Sequence, residues 1–548
     1  MWLLVVSLVR VAALGILAVC LHFIIKTILR PSFSELKHLP GPTNHQFLVG
    51  HALRILHGAG PNELYLQWMR RWPNAPFIRC LSWLNSEVLL VNNIEACREV
   101  LQTNAYRFAK PAFFHTLVGE FLGVGLLFSV GDQHKRLRRI TAGKTFFCGS
   151  WSRILIVIGP LSRPSIRKLF PTFVSYSRKL NSDISAAIQQ SSNGVLESSY
   201  TLSGFASWSR ADNAVPVEEL FTRVTLDIIG VSLIGKELRD FHSKTSPLSF
   251  EQCYNGILAQ PLAGQIISFI NPFIPLRWLP VSANLNFIKA KSALKGMMTE
   301  LIEQRTSEVA RTKELGTDSG LSDDLLTRMI EASSVENQKL FRDELIDITM
   351  QVIAAGHETT ASALLWTTYA LSKHQKSQDQ LRAEILGLND KNTTAKVIDD
   401  LPYLDNVIRE ALRVYSPTLI VPWEALEDID IAGIRIPKGT TVQLVPAMTQ
   451  LNPEIWGPDV ETFNPDRWDR LSGDALSPYA METFSNGPRM CPGKALALLN
   501  MKVLLVGLIR DFKIESAGDE EVELRNPSLT LKSKRPLQFK VQRVVEGA

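Results

Sequence analysis

The sequence predicts a mostly helical α+β fold, one large domain behind a single N-terminal membrane anchor, on three observations. From Trp2 to Ile25 the chain is apolar except for Ser7, Arg10 and His22. Two later stretches, Phe341 to Ser372 and Lys494 to Ile509, read as helices, and beyond Ile346 the first is too apolar all round to lie on a surface. Strand-type runs are short, as in Pro76–Cys80 and Glu87–Val91. At 548 residues and 45% apolar the chain can bury a large core. Division by about 150 residues per domain would suggest several domains, but no Gly/Ser-rich linker separates it into halves. The net charge of +5 and pI near 8.8 are mild, and no DNA- or RNA-reading motif is present, so nucleic acid is not an expected partner. Six cysteines without paired spacing or a C-x-x-C argue against a zinc site or disulfide scaffold and for a reducing compartment.

The stretch Phe484-Ser485-Asn486-Gly487-Pro488-Arg489-Met490-Cys491-Pro492-Gly493 reads as a haem site with Cys491 as thiolate ligand to the iron. Gly487 and Pro488 favour a tight loop able to approach a porphyrin closely, and Gly493 leaves room where the loop enters the helix. Backbone N–H groups at the start of that helix can point at the sulfur and lower its pKa. Arg489 can reach a haem propionate. The plainer alternative is a buried structural cysteine in a Gly/Pro loop. The pattern Phe-x-x-Gly-x-Arg-x-Cys-x-Gly resembles the signature of the cytochrome P450 haem-thiolate monooxygenases, in the style of microsomal fungal members. That resemblance covers nearly all of the chain from about residue 39. It implies the P450 fold, a large helical haem domain with small β-sheets. The expected division is an anchor over residues 1–30, a proline-rich hinge over 31–45 and the haem-thiolate domain over 46–548.

In the anchor, Arg10 costs about 3 kcal/mol if central, but fifteen Leu, Ile, Val and Phe residues at roughly −0.3 to −0.6 kcal/mol each outweigh it. No small-residue cleavage site follows, which favours an uncleaved anchor over a signal peptide. Lys26, Arg30 and Lys37 then place the body on the cytosolic side, so the expected location is the endoplasmic reticulum membrane, single-pass. Leu39-Pro40-Gly41-Pro42 is a stiff hinge, similar to the one after the anchor in microsomal members. Pro76–Cys80 and Glu87–Val91 are expected as strands of a small N-terminal sheet, with Asn92-Asn93 as a turn. Tyr106 to Leu127 has no clean period; the resemblance makes it a loop over the haem, with Phe113, Phe114 and Phe121 as substrate-contact candidates and core packing as the alternative.

On the next helix, His134 and Arg138 stand where the family usually has Trp-x-x-x-Arg, both reaching propionates, and i,i+4 spacing puts them on one face. Lys135, Arg136 and Arg139 form either a solvated face or a docking site for an acidic redox partner. Lys144 to Leu161 departs from the family: it is a surface insertion or a retained intron, since removing about 18 residues restores family-like spacing into Ser162. Ser191 to Ala214 is a second, polar loop. Ile257 to Leu285 is apolar and proline-punctuated; the family places this region as a lid dipping into the membrane, against a plain reading as core.

Ala354-Ala355-Gly356-His357-Glu358-Thr359-Thr360 offers three small residues that open a gap for a ligand, then an acid and a hydroxyl. It resembles the family's Ala/Gly-Gly-x-Asp/Glu-Thr motif on the distal haem face, with Thr359 as near proton donor and Glu358 as relay. A Thr pair that bonds back to helix carbonyls is the plainer reading. Glu410 and Arg413 share a helical face; the resemblance makes them a buried structural triad with Arg467 of Phe463-Asn464-Pro465-Asp466-Arg467. Ile429 to Val445 is expected as a hairpin of a second sheet, and Trp423 falls where the family carries a further propionate-binding arginine.

The resemblance implies haem b held by Cys491, O2, a lipophilic small-molecule substrate and NADPH. With no flavin or nicotinamide fingerprint in the chain, those electrons would come through a separate NADPH-cytochrome reductase. In fungi such enzymes often tailor terpenoid or polyketide secondary metabolites. Rival readings are a haem-thiolate isomerase or dehydratase, against which Glu358 and Thr359 speak, and a non-catalytic haem sensor or carrier.

Overall fold

Phe77, Ile78 and Leu81 on one run and Leu89, Leu90 and Val91 on another are almost fully enclosed, which is why these short stretches are strands. The computed structural model describes residues 14–15, 17–18, 21, 25–29, 33–142, 144–145, 156–157, 160–190, 195–197, 217–239, 241–242, 246–258, 260–315, 324–333, 340–388, 393–518 and 521–544. It pairs β1 (Phe77–Leu81) and β2 (Glu87–Val91) antiparallel. With β3 (Phe108–Ala109), β4 (Val421–Ala425) and β5 (Thr441–Leu444) they form a five-stranded sheet in the order β1-β2-β5-β4-β3. This corrects the hairpin expectation: Ile429–Ile431 pairs with Ile434–Ile436, but β5 leaves them to lie parallel to β2 and antiparallel to β4. Val442 and Leu444 are apolar on alternate positions and pack with Phe108 and Trp423, a core that an isolated hairpin could not cover. Asn93 likewise is a helix cap, its Oδ1 accepting from the Ala96 N–H (2.8 Å) at the start of Ile94–Arg98.

The hinge is pinned to this sheet. The Arg79 N–H donates to the Pro40 carbonyl (2.8 Å), and a Cβ at Gly41 would stand 1.9 Å from the Arg79 oxygen, so only glycine lets the chain pass. Among the described residues no helix is long and apolar enough to cross a membrane; the anchor expected over Trp2–Ile25 lies almost entirely outside them.

The helices that position the site are α1 (Ala112–Leu122), α2 (Gly131–Ala142), α3 (Val217–Ile234), α4 (Ser282–Leu315), α5 (Arg342–Lys373), α6 (Pro402–Val414) and α7 (Lys494–Asp511). The expected span of α5 stands: Phe341 is its N-cap, with its N–H held by Glu344 (3.0 Å). From Leu345 onward most of its residues are buried, as the unbroken apolar run requires, and Trp366 bonds the Leu531 carbonyl (2.9 Å) while stacking on Tyr415. Pro402 opens α6, where the Glu384 carboxylate accepts from the N–H groups of Tyr403 (2.8 Å) and Leu404 (2.9 Å).

Most of the odd segment and of the loop at 191–214 lies outside the described residues. The ends of the odd segment do not. Lys144–Thr145 pairs antiparallel with Ile156–Val157, and the Leu161 N–H donates to the Thr141 carbonyl (3.0 Å). The chain therefore leaves and re-enters the fold at one point. Leu161 packs in the main core and belongs to the fold rather than to the excursion. With 144–160 removed, Thr141 and Leu161 become residues i and i+3 of a turn closed by that same bond, with Gly143 at the third position. A variant lacking 144–160 is accordingly expected to bind haem and to give more haem-loaded protein after detergent extraction, because the apolar residues of the segment promote aggregation if left uncovered. Loss of haem on deletion, or peptides from this segment in the natural protein, would show that it belongs.

Candidate active site

Cys491 is placed by the backbone around it. Its N–H donates to the Phe484 carbonyl (2.8 Å), and α7 starts behind it with Gly493 as N-cap. Gly487 has φ +69°, and a Cβ there would lie 2.1 Å from the Leu101 carbonyl oxygen. Its close approach is thus to protein backbone, where a porphyrin was expected. Gly493 differs: a Cβ there would meet only the Cys491 Sγ, at 3.9 Å, so the space beside the sulfur is open. Burial pushes the Cys491 thiol pKa up, opposed by the Gly493 N–H, Arg138 and Lys494. The expected lowering by the helix start is real but smaller than desolvation; only a bound cation reverses that balance, because a coordinated thiol is deprotonated outright.

The rim of this space is cationic. His134 is buried on α2 with its Nδ1 3.2 Å from the Tyr106 hydroxyl. Burial first, then Arg489 and Arg138, lower its pKa to about 4, so the imidazole is neutral. Nδ1 is engaged with the Tyr106 hydroxyl, which leaves Nε2 as the ring nitrogen available to a ligand. Arg489 donates to the carbonyls of Ala105 (3.2 Å), Ser129 (3.1 Å) and Phe108 (3.4 Å), which hold its guanidinium in place without neutralising it. The guanidinium of Arg138, one turn from His134, makes no hydrogen bond or ion pair with any described residue. Two unmatched guanidiniums beside a thiol with open space above it fit haem: Cys491 for the iron, and Arg138, Arg489 and His134 for the propionates. Lys135 pairs with Asp132 (2.9 Å) and Arg136 with Glu344, so those two cations are engaged on the fold.

On α5, Ala355 and Thr359 lie one turn apart on the side that is open, while Ala354 is buried. A Cβ at Gly356 would stand 2.7 Å from the Ile229 Cδ1, so this glycine admits α3 and does not widen the ligand space as expected. Thr359 and Thr360 both donate back to carbonyls, of Ala355 (2.6 Å) and Gly356 (2.7 Å). The Thr359 oxygen still has lone pairs with which to accept. Glu358 is held from the far end of the chain, by the Thr530 hydroxyl (3.2 Å) and the Lys532 ammonium (3.2 Å). No spacing rule pointed to those two residues, because they meet Glu358 only through the fold. Of the aromatic candidates, Phe121 packs edge-on against Phe287, Phe114 lies near Phe128, and Phe113 is exposed.

Behind the loop, Glu410 and Arg413 are both 0% exposed and pair in two bonds (2.9 and 2.8 Å), with Arg467 joining Glu410 at 3.2 Å. The triad is larger than its motif. Trp468 Nε1 and the Asn464 N–H also donate to Glu410, and Asp459 takes three bonds from Arg467, two on its carboxylate and one on its carbonyl. Gln450 links it to the Cys491 loop: its carbonyl accepts from Arg413 (2.9 Å), and its Oε1 accepts from the Glu482 N–H (2.9 Å) and the Thr483 hydroxyl (3.0 Å).

The profile of the family described as Cytochrome P450 matches residues 160–541, well over half of the chain. The chain belongs to the cytochrome P450 family. This P450 is 30% identical over 514 residues to the cytochrome P450 monooxygenase sphH of Aspergillus fumigatus, covering 90% of this chain and 86% of that protein. It is 28% identical to the cytochrome P450 monooxygenase FUM15 of Gibberella moniliformis, over 93% and 88% of the two chains. The crystal structure of the cytochrome P450DA heme domain superposes with a TM-score of 0.70 at 22% identity, covering 92% of this P450 and 98% of that chain. The P450 is a haem-dependent monooxygenase, and its cofactor is thiolate-ligated haem. The profile match begins at residue 160, the last residue of the segment 144–160.

Proposed function

We propose that this P450 is a membrane-anchored enzyme of fungal secondary metabolism that inserts one oxygen atom of O2 into a lipophilic small molecule and releases the other as water, with two electrons from NADPH through a separate reductase. The observation that carries the reading is Cys491, whose sulfur faces the space left open by Gly493 inside a rim of unmatched guanidiniums. Haem bound there supplies the iron on which O2 is reduced. Cys491 holds it, Arg138, Arg489 and His134 orient it, and the Glu410–Arg413–Arg467 frame fixes the loop. On the open side of α5, Thr359 delivers protons in the dry pocket and Glu358, braced by Lys532, relays them.

Entry from a membrane is supported by the surface around the lid. Leu262, Phe273, Ile274 and Trp278 are exposed, Trp278 by 75%. Phe269 meets Trp83, and the neighbouring Asn85 amide donates to the Thr27 carbonyl (3.0 Å), so the N-terminal chain and the apolar lid share one side. The lid is latched to α1 by Arg277, which bonds both Glu120 oxygens (2.8 and 3.1 Å).

The test is untargeted metabolite comparison of a deletion strain, followed by turnover of the accumulated compound with purified P450, NADPH-cytochrome reductase and 18O2. One labelled oxygen in the product is expected. Turnover without label or NADPH would establish the isomerase or dehydratase instead, and absence of any turnover the sensor. Thr359→Ala should bind haem and substrate yet divert NADPH electrons to peroxide, with product formation falling by roughly 10²-fold. Unchanged coupling of NADPH to product would remove Thr359 from proton delivery.

A further inference from the structure

Glu482 is a buried acid without a cation. It stands two residues before Phe484, whose carbonyl holds the Cys491 N–H, and it is 2% exposed. Its own N–H is held by Gln450, and residues 94–103 pack behind the same loop, with the Leu101 carbonyl against Gly487 and Cys97 near Glu482. One carboxyl oxygen accepts from the Asn486 amide at 3.2 Å, and the other, Oε2, is buried with no partner. Asn486 spreads two N–H donors over three acceptors, since the carbonyls of Pro478 (2.9 Å) and Met481 (3.1 Å) take them at shorter range. No ion pair reaches Glu482 among the described residues. The titratable groups around it do not offset its charge: Cys97 and Tyr479 carry no positive charge, Arg98 acts on Tyr479, Glu99 is bonded to the Ala432 N–H, and Arg413 beyond Gln450 is matched by Glu410. An ionised carboxylate is costly in such a place, and the neutral acid much less so. Burial accordingly pushes its pKa up to about 8.

Between Met481 and Gly493 this is the only acid in the sequence, so its proton decides whether the segment carries a negative charge besides the thiolate. Adding an electron to the iron adds negative charge to a dry site. A carboxylate beside the loop opposes that step, and a neutral acid does not. We propose that Glu482 is the proton partner of haem reduction, holding the potential up while it is neutral and, once ionised in the ferric protein, taking a proton from water as the iron takes an electron. The step balances: one electron passes to the iron from the reductase, one proton from water forms one O–H bond on the carboxylate, and the net charge of the site is unchanged. Linkage makes the effect reciprocal, because the free energy by which ionised Glu482 lowers the potential is that by which reduction raises the Glu482 pKa. The sign follows. In the ferric protein the proton leaves at about pH 8 and in the ferrous protein at higher pH, and only between the two does the potential depend on pH through this group. The inference rests on haem held by Cys491 and gives Glu482 no contact with it; Glu482 is a positioning residue that acts through its charge.

The experiment is a spectroelectrochemical titration of purified holoenzyme on both sides of pH 8 for the wild type, Glu482→Gln, Glu482→Leu and Cys97→Ala, with redox-difference infrared spectra recorded above that pH. The wild-type potential should be flat below about pH 8 and fall above it, by up to about 59 mV per pH unit, the one-electron equivalent of a tenfold change in proton activity. Glu482→Gln, which imitates the neutral acid, and Glu482→Leu should lose that fall, while Cys97→Ala should keep it. On reduction the wild type should gain the C=O band of a protonated carboxyl, and Glu482→Gln should not. Thiolate ligation should persist in all four. A wild-type potential that does not change with pH, or a fall that survives unaltered in Glu482→Gln, would overturn the proposal. So would a wild-type infrared spectrum without the carboxyl band, a readout that needs no variant to fold. If the substitutions lower only the melting point and leave the slope intact, Glu482 merely braces the loop, which also overturns it. Absence of a thiolate-haem spectrum in the wild type would instead defeat the haem assignment beneath the proposal, and the proposal with it.

Discussion

Cys491→Ala is expected to abolish the red-shifted Soret band that reduced, thiolate-ligated haem shows with carbon monoxide, and with it all reductase-dependent NADPH consumption coupled to product. The reason is local. Cys80, Cys97 and Cys253 are buried in packed core, and burial pushes their thiol pKa values up with no backbone N–H directed at the sulfur. Only Cys491 among the described cysteines combines the N–H groups of Gly493 and Lys494 with nearby Arg138 and open space. Among the described cysteines no second sulfur can take its place. The alanine variant should still fold, since its Cβ fits where the cysteine Cβ was, and circular dichroism serves as the control. A variant that keeps the carbon monoxide signature would sink the assignment of the ligand.

Arg413→Ala should cost about 3–5 kcal/mol of stability and leave little haem-loaded protein. Arg413 is 0% exposed and makes two bonds to Glu410 and three to the carbonyls of Gln450, Val460 and Thr462. Truncation removes the two-bond partner of a fully buried Glu410, leaving Arg467 at 3.2 Å as its remaining cation among the described residues, and takes the Arg413 donor from the carbonyls of Gln450 and Val460. Against a typical domain stability of about 5–15 kcal/mol this is a large share. The damage travels to the haem loop through Gln450, which holds Glu482 and Thr483 just ahead of it. Urea unfolding and haem content measured together decide the matter. Arg467→Ala is the internal comparison: its partner Asp459 is half exposed, so its loss should be the milder. Equal and small effects of both substitutions would show that the frame does not hold the loop.

What could be read from the residues alone was whatever depends on near neighbours in the chain. The loop from Phe484 to Gly493, the pair Glu410 and Arg413 at three-residue spacing, the pair His134 and Arg138 at four, and the unbroken apolar α5 are local patterns, because helix geometry turns sequence distance directly into spatial distance. They were sufficient for the mostly helical P450 fold and for the cofactor. The plain alternatives weighed against them were partly real as well: Thr359 does bond back to its helix, and Gly487 turns against Leu101.

Only the tertiary structure decided the contacts between segments hundreds of residues apart, since no periodicity links them. β5 left its own hairpin because the N-terminal sheet offered a larger apolar surface to Val442 and Leu444. Gly356 became a packing glycine because α3 crosses there, and Glu358 found Lys532 because the C-terminal segment returns over α5. The Trp423 ring carries the amine of Lys110, more than three hundred residues earlier in the chain, on its face. Burial is the physical reason behind each of these: which polar groups lose water, and must find a partner or a ligand, is fixed by the packing of distant elements and is not written at any one position of the chain.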